Sequence, residues 1–308
     1  MKKLALLGTL LIIIGIYFST DEKLSSLPIN ELFSPNIKVT LDEKNKYYRE
    51  YDFNYVQNTD NFSPECKQDL LNIYYTVINA GKNEFTFYCG KEYETCISDL
   101  ETIANNQNTL SPINNYVHPY NGFKHIETEY DNNGKITIYI TKSYTEEEIQ
   151  EIEQKLDTIE QTIIKDGATE EQNIKAIHDY IIDNATYDTE RKENSTSTSY
   201  DHKSDIAYGP LIQGYSICSG YTDAMELMLD RLSIENYKVA SENHVWNAVK
   251  LDGTWRHLDL TWDDPVVEDA GINIKLYDYY LITTSELLNL DQTEHNFNQD
   301  IYSELKEA

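Results

Sequence analysis

Positive charge is scarce in this sequence: 25 Lys and Arg stand against 53 Asp and Glu, a net charge of −28. So acidic a surface repels phosphate backbones and anionic lipid headgroups. Nucleic-acid binding and a peripheral hold on a charged membrane are therefore disfavoured. Metal and phosphate signatures are also missing. The seven His are scattered, no H-E-x-x-H or paired C-x-x-C occurs, and there is no Gly-rich phosphate loop. No metal and no cofactor is expected. Trp is rare at 3 and Phe at 8, whereas Tyr reaches 25, a bias given little functional weight. Internal repeats are lacking. Hydrophobic residues still make up 40%, enough for a packed core, and 308 residues leave room for two ordinary domains or one large one.

Long apolar runs are lacking too, with one exception. Lys2 and Lys3 precede an uncharged run from Leu4 to Phe18, and Asp21 and Glu22 follow it. That order is a positive n-region, a hydrophobic stretch and an acidic far side. No A-x-A-like cleavage site follows, and no nearby Cys stands ready for a lipid. An uncleaved signal anchor over residues 1–20 is preferred to a cleaved signal peptide. The expected location is the cell membrane with an extracellular domain, or secretion if the segment is cleaved; only this segment meets the membrane. Cysteine is sparse at four. Cys66, Cys89 and Cys96 sit in the N-terminal half, where several pairings stay open. Cys218 stands alone.

Residues 21–36 are polar with Pro28 and Pro35, and read as a stalk. Residues 37–166 read as an N-terminal α+β domain with a linking helix. Cys66–Ala80 has helical spacing, Phe85–Tyr88 is β-prone, and Ile97–Ile103 reads as a second helix. Phe123–Tyr130 and Lys135–Thr141 alternate around Asp131-Asn132-Asn133-Gly134, as a hairpin does. Thr145 with Glu148 and Thr169 with Gln172 are capping boxes that open two helices, the first expected to stop near Gly167. Residues 167–290 read as a second domain, with a Ser/Thr-rich loop at Asn194–Ser199. Residues 291–308 read as an acidic, peripheral tail.

Gly209, Pro210 and Gly214 break regular structure ahead of Cys218. After it, Tyr221, Ala224, Met225, Met228, Leu229 and Leu232 recur with helical period. Cys218 therefore belongs at a helix N-terminus, with Ser216 or Ser219 placed to cap it. The free N–H groups and the helix dipole there favour a thiolate and offer half of an oxyanion hole. Alone, Cys218 reads equally well as a small buried hydrophobe.

Asp252-Gly253 separates two alternating runs and is a strong hairpin signal. A two-residue turn pairs Leu251 with Thr254, so that paired numbers sum to 505. Trp246 then lies opposite Asp259, and His244 opposite Thr261. His244 and Asp259 become diagonal neighbours on one face, the relation of base and orienting acid in a thiol triad. His257 shares that face and is a rival base. His178 lies beside an apolar helix stripe and reads as core or rim.

These segments carry a resemblance. IKAIHDYIIDNATYD, AYGPLIQGYSICSGYTDAMELM and HVWNAVKLDGTWRHLDLTWDDP, over about Ala168 to Pro265, resemble the bacterial transglutaminase-like superfamily. The resemblance implies an α+β, papain-like core with an antiparallel sheet packed on the Cys-bearing helix. It also implies Cys218 as nucleophile, His244 as base and Asp259 as the third member. Gln213, five residues before Cys218, and Tyr208 are candidate oxyanion donors. Trp246 and Trp262 are candidate cleft residues. The implied activity is cysteine-dependent acyl transfer on protein or peptide amides, cell-envelope proteins among them, by a transglutaminase, peptidase or deamidase. The alternative is a catalytically inactive surface scaffold of the same fold.

Overall fold

The computed structural model describes residues 39–131, 133–193, 202–266 and 274–306. The leader and stalk expected at residues 1–36 and the loop at Asn194–Ser199 lie outside them. Among the described residues no helix is long and apolar enough to cross a membrane.

The N-terminal half places α1 (Lys67–Asn79), β1 (Glu84–Tyr88), α2 (Cys96–Ala104) and the single turn α3 (Gln107–Leu110) before the hairpin β2 (Phe123–Tyr130) and β3 (Lys135–Lys142). Strand β3 lies between β1 and β2 in an antiparallel sheet. Alternation makes the sheet one-sided: Phe87, Ile136 and Ile138 are fully buried while Glu84 and Lys135 stay exposed. A disulfide joins Cys89 to Cys96. Cys66 and Cys218 are free thiols.

Helices α4 (Glu146–Ile163) and α5 (Glu170–Asn184) each begin with a capping box, Thr145 with Glu148 and Thr169 with Gln172. α4 ends at Ile163, short of Gly167, whose φ of 77° serves the turn that follows. Two-residue β4 (Thr186–Tyr187) leads to the turn α6 (Thr189–Glu193) and pairs in parallel with β5 (Tyr215–Ser216). Then come α7 (Cys218–Arg231), the antiparallel strands β6 (Asn236–Ala240), β7 (Val245–Leu251) and β8 (Thr254–Leu258), the turn α8 (Leu260–Asp263) and α9 (Thr284–Leu290).

The β6–β7–β8 sheet separates two apolar cores, and its pleat explains how. Asn247 and Val249 face α7 and Lys238 reaches it: the Asn247 amide donates to Thr222 O, Lys238 Nζ lies 2.9 Å from Asp223, and Val249 joins the core of α4, α5 and α7. Trp246, Ala248, Tyr237 and Val239 face the other way, into a core built with α1, α2 and the β1–β3–β2 sheet. That second core also takes Phe297, Tyr302 and Leu305. Both cores therefore cross the division expected at residues 166/167, because α4 packs with α5 and α7 and the N-terminal sheet shares its core with β6 and β7. Residues 291–306 correct the peripheral reading of the tail: their spaced apolar side chains are too few to show a period, yet Phe297, Tyr302 and Leu305 are buried and Ile301 is partly buried. Mixed helix and strand content with antiparallel sheets makes the fold α+β, as expected.

Candidate active site around Cys218

Cys218 is the first residue of α7, as its loop-to-helix position predicts. Neither Ser216 nor Ser219 caps the helix. The cap is Ile217, whose side chain accepts nothing, and Ser216 Oγ instead donates to Ile217 O. The first-turn N–H groups are thus not used up by a cap and remain available to stabilise negative charge near the sulfur. The loop before α7 is pressed against this turn. Ile217 N donates to Ser204 O over 2.9 Å, and a Cβ on Gly220 would stand 2.3 Å from that same oxygen. Only glycine allows this approach. The Cys218 side chain is partly exposed.

The hairpin register is the expected one: Leu251 pairs with Thr254 and Asn247 with Leu258. Asp252 and Gly253 both take positive φ, at 50° and 77°, as a tight hairpin turn requires. His244 immediately precedes β7, and Asp259 immediately follows β8, where its carboxylate caps α8. His244 Nε2 meets Asp259 Oδ2 at 2.5 Å, with the two residues only 7% and 1% exposed. The Trp246 ring stacks on His244, with centroids 5.6 Å apart.

With Nε2 given to Asp259, Nδ1 is the ring nitrogen left for Cys218. Burial opposes a charge on this imidazole. The Asp259 carboxylate, its hydrogen bond and the neighbouring Cys218 sulfur outweigh burial and push the ring up to about 10. Burial likewise opposes the charged form of Asp259. Its contacts with His244 and His295 prevail and hold the carboxyl well below the usual carboxylate range. Both Asp259 oxygens are doubly engaged: Oδ2 by His244 and by His295 Nε2 at 2.8 Å, Oδ1 by the backbone N–H of Thr261 at 2.9 Å and Trp262 at 3.3 Å.

The other sequence candidates fare differently. Trp246 is 1% exposed and donates its indole N–H to His257, so it packs beneath the His–Asp pair and lines no cleft. Trp262 is partly buried against Tyr279 and His295. The Tyr208 hydroxyl donates to Glu151 of α4 at 2.5 Å, so it is not aimed at Cys218. Gln213 closes a π-helical turn, Gly209–Gln213, and its Oε1 accepts the Lys203 N–H at 2.7 Å. Its carbonyl oxygen thus serves the loop that packs on α7. His257 is no rival base: Nδ1 accepts from Trp246 and Nε2 bonds Thr284 Oγ1. His178 is fully buried between Asp179 and Asp263, a structural role.

Two neighbours are not evident from the sequence. Tyr187 of β4 has its hydroxyl held protonated first by burial and then by the charges of Cys218, Glu294 and Asp259. It belongs to the NATYD stretch, the one sequence signal that points to it. His295 belongs to the supposed tail and gives no local signal. Among the described residues His244, Asp259 and His295 are the one group whose donor atoms lie close enough to suggest a metal. Two ligands of one tetrahedral ion stand about 3.3 Å apart when metal–ligand distances are near 2 Å. The separations of 2.5 and 2.8 Å are shorter, and fit shared protons. A recess of about 420 Å³ is lined by Arg49, His118 and Arg231, and Cys218 is not part of its wall.

Neither the protein-family models nor the curated proteins yield a match to this chain. Among solved structures, it is similar to a crystal structure of a TGase, at 16% identity and a TM-score of 0.32, over 49% of this chain and 48% of that one. It is also similar to a proposed cysteine protease from Cytophaga hutchinsonii, at 14% identity and a TM-score of 0.27, over 44% of this chain and 61% of that one. The chain thus spans about half the length of the first and three fifths of the second.

Proposed function

We propose that this protein is an exported, cysteine-dependent acyl-transfer enzyme acting on protein or peptide amides. Cys218 is its nucleophile, His244 its base and Asp259 its orienting acid. The observation that carries the reading is the alignment of one buried imidazole between a carboxylate, 2.5 Å from Nε2, and a partly exposed thiol at an uncapped helix start. In the reaction His244 Nδ1 takes the Cys218 proton and the sulfur attacks the amide carbonyl carbon. The oxyanion forms beside the first-turn N–H groups of α7. The C–N bond breaks, the amine leaves with the proton returned by His244, and a thioester remains. An amine or a water molecule, deprotonated by the same ring, then attacks the thioester and frees the thiol. An amine gives transglutamination of a Gln side chain, and water gives deamidation or proteolysis.

Export through Leu4–Phe18, with the enzyme tethered outside the cell and cell-envelope proteins as substrates, belongs to the same proposal. The Cys89–Cys96 disulfide supports it, because such bonds persist in oxidising compartments.

The test compares wild type with Cys218→Ala and His244→Ala. Alkylation by iodoacetamide across pH is measured first, then incorporation of a primary-amine probe into a Gln-containing protein, and peptide hydrolysis. Alkylation at Cys218 should persist below the ordinary thiol range and weaken without His244. A Cys218 rate that follows an ordinary thiol titration in both wild type and His244→Ala, with no product from either assay, overturns the proposal in favour of an inactive scaffold.

A further inference from the structure

We propose that His295 and Asp291 form a positioning pair that locks the Asp259 carboxylate, so that the C-terminal segment is part of the catalytic apparatus. This rests on the reading of Cys218, His244 and Asp259 given above.

His295 has no exposed surface, and each ring nitrogen meets a carboxylate: Nε2 lies 2.8 Å from Asp259 Oδ2 and Nδ1 lies 2.9 Å from Asp291 Oδ2. Facing two carboxylates, the ring fits as a donor at both ends. The ring is fixed in other ways as well. It stacks on Tyr279 with centroids 5.0 Å apart and meets the Trp246 ring edgewise at 4.8 Å. The charged and titratable groups around it are Asp259, Asp291, His244 (edgewise, 5.2 Å), His257 and Tyr279. Of these, the two carboxylates alone bond it.

Asp291 is prepared for the task by its own loop. Its oxygens accept the backbone N–H groups of Thr293, Glu294 and His295, at 2.9, 2.9 and 3.2 Å. Burial opposes its charge, but these bonds and the His295 ring hold the carboxyl down to about 2. Beyond His295 the segment is anchored by buried Phe297, Tyr302 and Leu305, and by the Tyr116 hydroxyl, which donates to Ile301 O at 2.6 Å.

The consequence falls on Asp259. Four donors converge on its two oxygens, and a carboxylate so held cannot pivot. His295 shares the oxygen that binds His244. Removing it frees Oδ2 to reorient, and His244 loses the fixed partner that keeps Nδ1 turned toward Cys218.

The experiment measures the rate of Cys218 alkylation by iodoacetamide from pH 5 to 10 in the full chain. Wild type is compared with His295→Leu, His295→Gln, Asp291→Asn and His244→Ala, and folding is checked by circular dichroism. His295→Leu should lower the rate at pH 6 by about tenfold, the equivalent of one charge-assisted hydrogen bond. It should also move the profile toward that of an ordinary thiol. His295→Gln, whose amide N–H can still reach Asp259, should recover most of the loss, which a merely structural role does not predict. Asp291→Asn should cost about threefold and carries the test if His295→Leu fails to fold. A wild-type profile in folded His295→Leu and Asp291→Asn, with His244→Ala impaired, overturns this inference alone. A wild-type profile in His244→Ala as well overturns the triad reading and this inference with it.

Discussion

The indole N–H of Trp246 donates to Nδ1 of His257 over 2.9 Å. A ring nitrogen that accepts carries no proton, so His257 is a neutral imidazole with its proton on Nε2, where it faces Thr284 Oγ1. Burial pushes this ring down to about 3; His295 adds to the effect and Asp259 opposes it. Unfolded, the ring titrates near its ordinary value of about 6.5. The unfolded chain therefore takes up the proton first as pH falls. The stability contributed by His257 is present above pH 6.5 and is lost progressively between pH 6.5 and about 3. The slope is at most about 1.4 kcal/mol per pH unit, or roughly 2 kcal/mol between pH 6.5 and 5. His118, also pushed down to about 3 by burial, adds a loss of the same sign. Urea unfolding at pH 7 and pH 5 should show a smaller drop in His257→Gln than in wild type. Equal drops would count against a neutral His257.

Gly220 makes a second prediction, this one about how the Cys218 thiol is seated. A Cβ there would lie 2.3 Å from Ser204 O, 2.7 Å from Ser216 Oγ and 3.2 Å from Ile206 O. Backbone atoms cannot yield as a flexible side chain does, so Gly220→Ala must lift the loop from α7. A cost on the order of 1–3 kcal/mol is expected, together with reduced alkylation of Cys218. Gly253→Ala is the control. Its φ is 77° but a Cβ there meets nothing within 4 Å, so the cost should be about 1–2 kcal/mol of backbone strain, with Cys218 reactivity unchanged. Equal reactivity in the two variants would mean that the loop does not seat the thiol.

How much of this was legible in advance depends on how locally each feature is encoded. Asp252-Gly253 sets a register that carries across the hairpin, so the meeting of His244 and Asp259 follows from residues at most 15 apart. The start of α7 and the capping boxes at Thr145 and Thr169 are equally local. Contacts without a periodic signature were not legible. His295 reaches Asp259 across 36 residues, within a segment whose apolar residues show no helical or strand spacing. The Tyr208 hydroxyl turns to Glu151, 57 residues earlier, which no reading of its own loop could supply. Trp246 and Asp259 share a face, as the register requires, but whether that face is a cleft or a core depends on what covers it. The N-terminal sheet and the residues after 291 cover it.

The same cover is tied down by Arg49. Its Nη2 lies 2.6 Å from Glu226 Oε1 and 2.7 Å from Asp230 Oδ2, and links the described residues ahead of α1, 39–66, to the helix that bears Cys218. Arg49 and Glu226 are 5% and 0% exposed. Arg49→Met leaves the Glu226 carboxylate buried beside Lys238, whose Nζ is 3.6 Å from Glu226 Oε2. A loss of about 3–5 kcal/mol is expected for breaking a buried pair from one side. The sign of its pH dependence follows from Glu226. Burial already pushes that carboxyl up to about 7, against the pull of Arg49 and Lys238. Without Arg49 the carboxyl rises further and takes a proton more readily. The loss should therefore be smaller at pH 5 than at pH 8, as measured by urea unfolding. A loss independent of pH would place the cost in packing and not in charge.

Asp259→Asn tests the proposed triad at its tautomer. In the native site both carboxylate oxygens accept, from His244 and His295 on one side and from the N–H groups of Thr261 and Trp262 on the other. An Asn side chain has one acceptor and one donor. If its oxygen keeps the backbone N–H groups, its NH₂ faces two imidazoles. His244 then has to accept at Nε2 and carry its proton on Nδ1, turned toward Cys218. A nitrogen that already holds a proton cannot take one from the thiol. If the amide flips, its NH₂ is set against the backbone N–H groups instead, and the cap of α8 is lost. The charge that raises His244 to about 10 is absent in both cases, so the imidazole holds a proton less firmly near neutral pH. The proposed acyl transfer should fall by roughly 10³–10⁴, as catalysis does when the equivalent change traps the wrong tautomer in serine triads. Cys218 alkylation at pH 6 should drop toward the His244→Ala level, with recovery only as the thiol itself titrates at higher pH. Alkylation in Asp259→Asn that keeps the wild-type pH profile would show that His244 does not depend on this carboxylate, and would remove Asp259 from the mechanism.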